Sequence, residues 1–164
     1  SSAVVIARAL GAHVVATSSS DAKVELVRGL GADVVVNHAT GDVVAAVKEA
    51  TGGPGVHVVV EHVGEATWER SLQSVRPHGR ITVCGATTGP NPKAALHRVW
   101  WKQLTILGST MGTKEDFEGA FELVKSGKAK PVVDSVFPLS EARAAHERLE
   151  TGEHFGKVVL SIPA

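Results

Sequence analysis

Glycines and small hydroxyl residues follow four of the Val-rich runs in this sequence, each at the point where a run ends. A glycine there lets a backbone approach a flat ring, and a hydroxyl can hydrogen-bond a ribose or a carboxamide. Taken alone, each glycine is typical of a tight turn between a strand and a loop. Several such ends on one edge of a parallel sheet instead favour a nucleotide site. The residues concerned are Thr17, Ser18, Ser19 and Ser20, then His62, Val63 and Gly64, then Gly85, Ala86 and Thr87, and finally Gly108, Ser109 and Thr110.

The run HVVATSSSDAK carries no acid directly after its Val-rich part. In dinucleotide-binding folds an Asp or Glu at this point holds the ribose 2′-hydroxyl of NAD, whereas the 2′-phosphate of NADP needs hydroxyl or cationic donors. Ser18, Ser19 and Lys23 could supply those donors, while Asp21 lies in the first helical turn and could face outward. The alternative is that Ser20 only caps the helix and Lys23 is solvated. Because capping needs one serine and three are present, the sequence favours NADP, with NAD still possible.

The eight histidines do not form a predicted metal site. His57 and His62 lie on opposite faces of one strand in VHVVVEH, and no third residue has the spacing of a zinc ligand. His62 lies at the strand end, where it could contact a cofactor ring or relay a proton, but a single histidine is not a site and it could equally lie behind the residues that contact the cofactor. Glu61 is the only acid near this strand edge, and the sequence contains no GxSxG elbow or Walker loop. Hydrolase and phosphotransferase chemistry is therefore not supported, and no catalytic residue is assigned.

The composition predicts one globular domain, with or without a small appendage. The 164 residues are 43% hydrophobic and carry a formal net charge of zero, so the chain lacks the basic surface that nucleic-acid binding needs. Cys84 is the only cysteine, which excludes an internal disulfide framework, and it is expected to pack as a small buried side chain. No apolar run is long enough to span a membrane and no signal peptide is recognisable, so a cytoplasmic location is expected.

Short Val-rich runs alternate with amphipathic stretches along the chain, which predicts an α/β fold with a doubly wound parallel sheet. The sequence opens on SSAVVIARALGA, which is a helix with no strand or glycine-rich turn before it. After Pro131 the alternation of Val-rich and amphipathic stretches changes, and the sequence predicts a strand, a helix and a second strand. We therefore divide the chain at this point, into a dinucleotide-binding domain over residues 1–130 and a tail over residues 131–164.

Four stretches carry a resemblance to a known family: ALGAHVVATSSSDAKVELVRGLGADVVVNH, VVVEHVGEATWERSLQSVRPHGRITVCGATTG, WKQLTILGSTMGT and LETGEHFGKVVL. They resemble the cofactor-binding half of the medium-chain dehydrogenase/reductase family, in the branch of zinc-type alcohol dehydrogenases and quinone oxidoreductases. The resemblance extends over essentially the whole chain. It implies a Rossmann-like domain that lacks its first strand and glycine-rich turn, as part of a protein about twice this length.

The resemblance also implies the metal content, the assembly and the cofactor-binding residues of the protein. Zinc is possible in the full-length parent but is not expected to be bound by this segment, and the tail is expected to pack on a missing substrate-binding domain. By the same resemblance, a homodimer that pairs through the strand LTILGST is expected. Three groups of residues are implied to bind the cofactor: Ser18, Ser19 and Lys23 at the adenosine ribose or its phosphate; His62, Val63, Gly64, Gly85 and Ala86 along the nicotinamide; and Gly156 and Lys157 near the cofactor phosphates.

Together these features predict the cofactor-binding part of an NAD(P)-dependent oxidoreductase. It would move hydride between nicotinamide, with NADP preferred, and a small substrate such as an alcohol, an aldehyde, a quinone or an enone. The segment alone is expected to be inactive. The alternative is a non-catalytic nucleotide-binding or assembly module that retains only the fold.

Overall fold

The computed structural model describes residues 1–163 and confirms the alternation of helices and strands. Each Val-rich run forms a strand, because β-branched side chains pack well on a pleated surface, and the amphipathic stretches between the runs form helices. In chain order the elements are α1 (Ser2–Ala9), β1 (Val15–Ser18), α2 (Asp21–Gly29), β2 (Val34–Asn37), α3 (Val43–Ala50), β3 (Val56–Glu61), α4 (Trp68–Ser74), β4 (Val75–Val83), α5 (Leu96–Trp101), β5 (Thr105–Gly108), α6 (Lys114–Lys125), β6 (Val133–Pro138), a short 3₁₀ helix (Leu139–Glu141), α7 (Ala142–Glu150) and β7 (Lys157–Ser161).

The strands form an α/β fold whose ladders are hydrogen-bonded as three sheets. In the three-stranded sheet, β3, β4 and β5 are parallel, with Val59 beside Ile81 and Ile81 beside Ile106. A second sheet contains β1 and β2, and a third contains the parallel pair β6 and β7. Within residues 1–163 no ladder joins β1 to β3.

Strand β4 begins earlier than the sequence indicates. The amphipathic stretch EATWERSLQSVRPHG followed by RITVCG predicts a strand that starts near Arg80, but helix α4 ends at Ser74 and Val75 already pairs with Val56 of β3. The register then shifts, and pairing resumes between Val58 and Arg80. Pro77 cannot donate an amide hydrogen bond and His78 has a positive φ of 57°, so neither residue continues a helix.

The backbone groups into two compact units. Unit 1 comprises Ser1–Ala16, Asp21–Val35 and the residues from Lys114 onward. Its core contains Val14, Val27 and Ala32. Asp134 of β6 accepts hydrogen bonds from the Arg148 guanidinium of α7 and from the Phe155 amide, which ties the helix and the turn before β7 to the sheet.

Unit 2 comprises Thr17–Ser20 and Val36–Thr113, and its core lies between β4 and α4. Leu72, Val75 and Ile81 are fully buried there. Trp68, Val99 and Leu104 pack against them.

Several apolar side chains of the described residues remain exposed. Trp100 and Trp101 are 65% and 77% exposed, and all four residues of β5 are exposed. None of the helices in residues 1–163 is long and apolar enough to cross a membrane.

Lys102 stabilises the end of α4. Its ammonium donates hydrogen bonds to the carbonyls of Leu72, Gln73 and Val75, at 2.8, 3.2 and 2.7 Å. Its own carbonyl accepts a hydrogen bond from the amide of His78 at 2.8 Å. Lys102 therefore satisfies carbonyls that the helix end leaves without intrahelical partners.

We predict that Lys102→Met, which keeps the aliphatic stem and removes the ammonium, lowers the free energy of unfolding by about 1–3 kcal/mol. Urea denaturation measures this difference. Lys48→Met, at an exposed position of α3, is the matched control and is expected to change stability by no more than about 0.5 kcal/mol. Equal stability of Lys102→Met and the wild type would contradict the capping role.

Candidate functional site

The loops that follow β3 and β4 are joined by backbone hydrogen bonds. The carbonyl of His62 accepts from the Thr87 amide at 3.3 Å, and that of Val63 accepts from the Thr88 amide at 2.8 Å. The Thr88 hydroxyl donates to the Val63 carbonyl at 2.7 Å and accepts from the Ala66 amide at 3.1 Å. The two loops therefore lie side by side at the carboxyl edge of the three-stranded sheet.

Gly64 allows this close approach. Its φ is +91°, and a Cβ atom at this position would lie 2.4 Å from the Gly89 carbonyl oxygen and 3.1 Å from the Cβ of Ala86. Any other residue would therefore meet both backbone strain and a steric clash. Gly85 is also confined, since a Cβ atom there would lie 3.2 Å from the His62 carbonyl oxygen.

The structure thus brings together one group of predicted site residues. Val63 is half-buried and Gly64 is buried, while His62 and Ala86 are exposed beside them. This arrangement places the apolar side chains of Val63 and Ala86 beside His62 at a strand edge, which suits a planar ring better than a charged group. The residues of this group are His62, Val63, Gly64, Gly85 and Ala86.

Glu61, the last residue of β3, is 3% exposed and holds the loop that follows it. Its Oε1 accepts from the amides of Val63 and Gly64, at 2.8 and 3.2 Å, and from the Thr67 hydroxyl at 2.8 Å. Its Oε2 accepts a short hydrogen bond from the Ser71 hydroxyl of α4. The carboxylate therefore faces the loop and helix α4 rather than acting as an open acid or base.

These bonds determine the pKa of Glu61. Burial alone would raise the pKa of this carboxyl, but the donors Ser71, Val63, Thr67 and Gly64 stabilise the carboxylate and hold the pKa below its ordinary value of 4.5. Thr67 and Ser71 were not predicted as site residues. Their spacing from Glu61 matches no motif, and only the turn of the chain into α4 brings them to its carboxylate.

The serines predicted to bind the adenosine lie at the end of β1. Ser18 is the last residue of this strand and its carbonyl accepts from the His38 amide at 2.8 Å. Ser18 is half-buried and Ser19, which follows it, is exposed. Both serines lie within unit 2, but only Ser19 follows the strand, because β1 extends through Thr17 to Ser18.

The remaining predicted residues belong to unit 1. Lys23, in the first turn of α2, donates a hydrogen bond from Nζ to the Gly152 carbonyl at 2.6 Å. Gly152 lies in the turn that leads to Gly156, whose φ is +112° and where a Cβ atom would lie 2.5 Å from the Val132 carbonyl oxygen. Lys157 is exposed at the start of β7. Lys23 and the HFGK segment are thus linked within one unit.

Metal-ligating side chains do not converge in the part of the chain that the structure describes. Among residues 1–163, no three or more His, Cys, Asp or Glu side chains form a group that could hold a metal ion. His57 is hydrogen-bonded to Arg76, with 2.6 Å between Nε2 and Nη1. Cys84 is exposed, so the expectation of a buried side chain was wrong: Cys84 lies just beyond the last residue of β4, outside the packed core.

Comparisons with known proteins identify the family of this chain. The family model described as "Zinc-binding dehydrogenase" matches residues 1–126. An alcohol dehydrogenase of Geobacillus stearothermophilus is 35% identical over 161 residues, covering 98% of this chain and 47% of the relative. A 2-haloacrylate reductase of a Burkholderia species is 34% identical over 169 residues, covering 94% and 49%. The chain thus spans about half the length of the curated relatives it matches.

Solved structures show the same likeness. The crystal structure of an NAD-dependent alcohol dehydrogenase is 39% identical and superposes with a TM-score of 0.90, covering 98% of this chain and 47% of that one. A 2-octenoyl-CoA carboxylase reductase, solved in complex with NADP and 2-octenoyl-CoA, is 29% identical with a TM-score of 0.88, covering 96% and 40%.

We predict that the stabilising effect of the Glu61 carboxylate is lost in acid. Because the folded-state pKa is lowered, this stabilisation is complete above 4.5 and disappears as the pH falls through the lowered value. Urea unfolding of the wild type and Glu61→Gln should differ by about 1–3 kcal/mol at pH 7. The difference should shrink toward pH 3, whereas an equal difference at both pH values would contradict the role of the charge.

Proposed function

Because this chain belongs to the zinc-binding dehydrogenases of the medium-chain dehydrogenase/reductase family, we propose that it is the cofactor-binding part of an NAD(P)-dependent oxidoreductase. The observation that carries the proposal is the pair of loops after β3 and β4, joined through Val63 and Thr88, which presents apolar side chains and backbone at the sheet edge where nucleotides bind in such folds. A bound nicotinamide cofactor would supply or accept the hydride, and the residues of this chain bind and orient it.

The nicotinamide half is proposed to lie along His62, Val63 and Gly64 with Gly85 and Ala86. Gly64 lets this loop lie directly against the loop after β4, because a Cβ atom there would lie 2.4 Å from the Gly89 carbonyl oxygen. His62 is exposed beside the loop and is proposed as a neighbour of the ring. No residue is assigned as catalytic.

The adenosine half is proposed to lie at Ser18, Ser19 and Lys23, and NADP is the proposed preference. No carboxylate follows β1 directly, so a 2′-phosphate would meet hydroxyl groups there rather than a negative charge. The bond from Lys23 to Gly152 supports a place for this cation near Gly156 and Lys157, which are proposed to lie close to the cofactor phosphates.

The substrate and the assembly are also proposals. Alcohols, aldehydes, quinones or enones are the proposed substrates, because the relatives include enzymes named alcohol dehydrogenase and quinone oxidoreductase. A homodimer through β5 is proposed, since β5 pairs with β4 on one edge and its four residues are exposed. The residues described do not fit a zinc site, so no step is assigned to zinc.

The proposal predicts that the protein binds NADPH and NADH, with NADPH bound more tightly. Titration followed by fluorescence or calorimetry measures both dissociation constants, and assays with an aldehyde, a quinone and an enone test for turnover. Binding with turnover supports the oxidoreductase, and binding without turnover in the full natural polypeptide supports the nucleotide-binding module instead. Absence of binding to either cofactor would refute both.

We predict that Lys23→Ala weakens NADPH binding by about tenfold or more, about 1.4 kcal/mol, and NADH binding by much less. The reason is that only NADPH carries the 2′-phosphate that a lysine can neutralise. Lys128→Ala, at an exposed position of the same unit, is the control and should affect neither cofactor. Equal losses of affinity for both cofactors would show that Lys23 does not recognise the 2′-phosphate.

A further inference from the structure

Glu61 is an unusual buried acid. A carboxylate that is 3% exposed normally lies beside a cation, because removal of a charge from water is costly. The four groups that hydrogen-bond this carboxylate are instead neutral: two backbone amides and two hydroxyls. Among residues 1–163, the hydrogen bonds that stabilise this negative charge come from the loop and the helix that directly follow Glu61 in sequence.

The two carboxylate oxygens contact different parts of the chain. Oε1 accepts from Val63, Gly64 and Thr67, which form the loop after β3, whereas Oε2 accepts from Ser71 inside α4. Helix α4 is fixed in turn, since Leu72 is fully buried in the core of unit 2. Through Glu61, the position of the loop is therefore set by the rigid helix.

The carbonyl side of the same loop faces the neighbouring loop. The Val63 carbonyl accepts from Thr88 while the Val63 amide donates to Glu61, and the Gly64 amide also donates to Glu61. The peptide groups of this segment are thus held from both sides. We propose that Glu61 is the positioning residue of the nicotinamide half of the site, which holds the backbone from His62 to Gly64 in the conformation that receives the ring. This inference rests on the proposed function.

A carboxylate suits this task because it accepts hydrogen bonds and donates none, with about four acceptor positions on its two oxygens. Alanine would leave four donors without this acceptor, and the bonds from the Gly64 amide and the Ser71 hydroxyl are buried. Glutamine can keep the bonds at Oε1, and its amide nitrogen can donate to the Ser71 hydroxyl, which is able to accept. The loop position is therefore expected to survive Glu61→Gln and to be lost in Glu61→Ala.

The test compares a whole cofactor with a fragment that lacks the nicotinamide. Calorimetric titrations with NADPH and with 2′,5′-ADP are made on the wild type, Glu61→Ala, Glu61→Gln and Glu69→Ala. If the wild type binds NADH more tightly than NADPH, the titrations use NADH and ADP in place of NADPH and 2′,5′-ADP. Glu69 is a matched control because it is an exposed acid of α4, bonded to Gln73 and Arg98.

We expect Glu61→Ala to raise the dissociation constant of NADPH about tenfold or more and that of 2′,5′-ADP by less than about threefold. Glu61→Gln should stay within about threefold of the wild type for both ligands, and Glu69→Ala should match the wild type. Amide hydrogen exchange at Val63 and Gly64 should become faster in Glu61→Ala alone. A merely stabilising residue would instead weaken both ligands together.

Ser71→Ala serves if Glu61→Ala does not fold, because it removes only the bond to Oε2 and should show the same selective loss of NADPH affinity to a smaller extent. Equal losses for NADPH and the fragment, or unchanged NADPH affinity in both variants, would overturn the inference alone. A wild type that binds neither cofactor would overturn the proposed function and the inference with it.

Discussion

Parallel pairing of β3 with β4 is the constraint on which the candidate site depends. Because the strands run in the same direction and in register, from Val58 beside Arg80 to Glu61 beside Val83, both following loops leave the sheet at one edge. Hydrogen bonding then continues past the strand ends, through the carbonyls of His62 and Val63. Only a loop with a glycine at position 64 can lie this close to its neighbour, so the ladder and the glycine together shape the site.

Helix α4 is the second support of this edge. Its inner face supplies Leu72 to the core of unit 2, its first turns supply donors to Glu61, and its last carbonyls are satisfied by Lys102. Hydrophobic burial therefore fixes helix α4. Hydrogen bonds at its two ends then hold the loop after β3 and the start of β4 against the helix. The polar atoms beyond the strand ends thus have hydrogen-bond partners within unit 2.

In unit 1 as well, the hydrogen bonds of one carboxylate hold a turn in place. Asp134 binds the Arg148 guanidinium, the Phe155 amide and the Ser135 hydroxyl, and these bonds lower the pKa of its carboxyl. The turn before β7 is thereby attached to β6 at one end. At its other end, the Gly152 carbonyl holds the Lys23 ammonium. A single turn thus connects the closing strand with the residue proposed to recognise a phosphate.

The sequence by itself determined the α/β class, the order of the elements and the residues at the strand ends, because β-branched runs, helical periodicity and glycine positions are local signals. Val63, Gly64, Gly85 and Ala86 could be predicted as neighbours for that reason. The bond pattern of Glu61 could not, since Thr67 and Ser71 reach its carboxylate only after the chain turns into α4. The start of β4 at Val75 likewise depends on pairing between Val75 and Val56, a long-range contact that the local pattern does not contain. Local sequence patterns therefore identify the residues of the candidate site, whereas tertiary hydrogen bonds hold them in place.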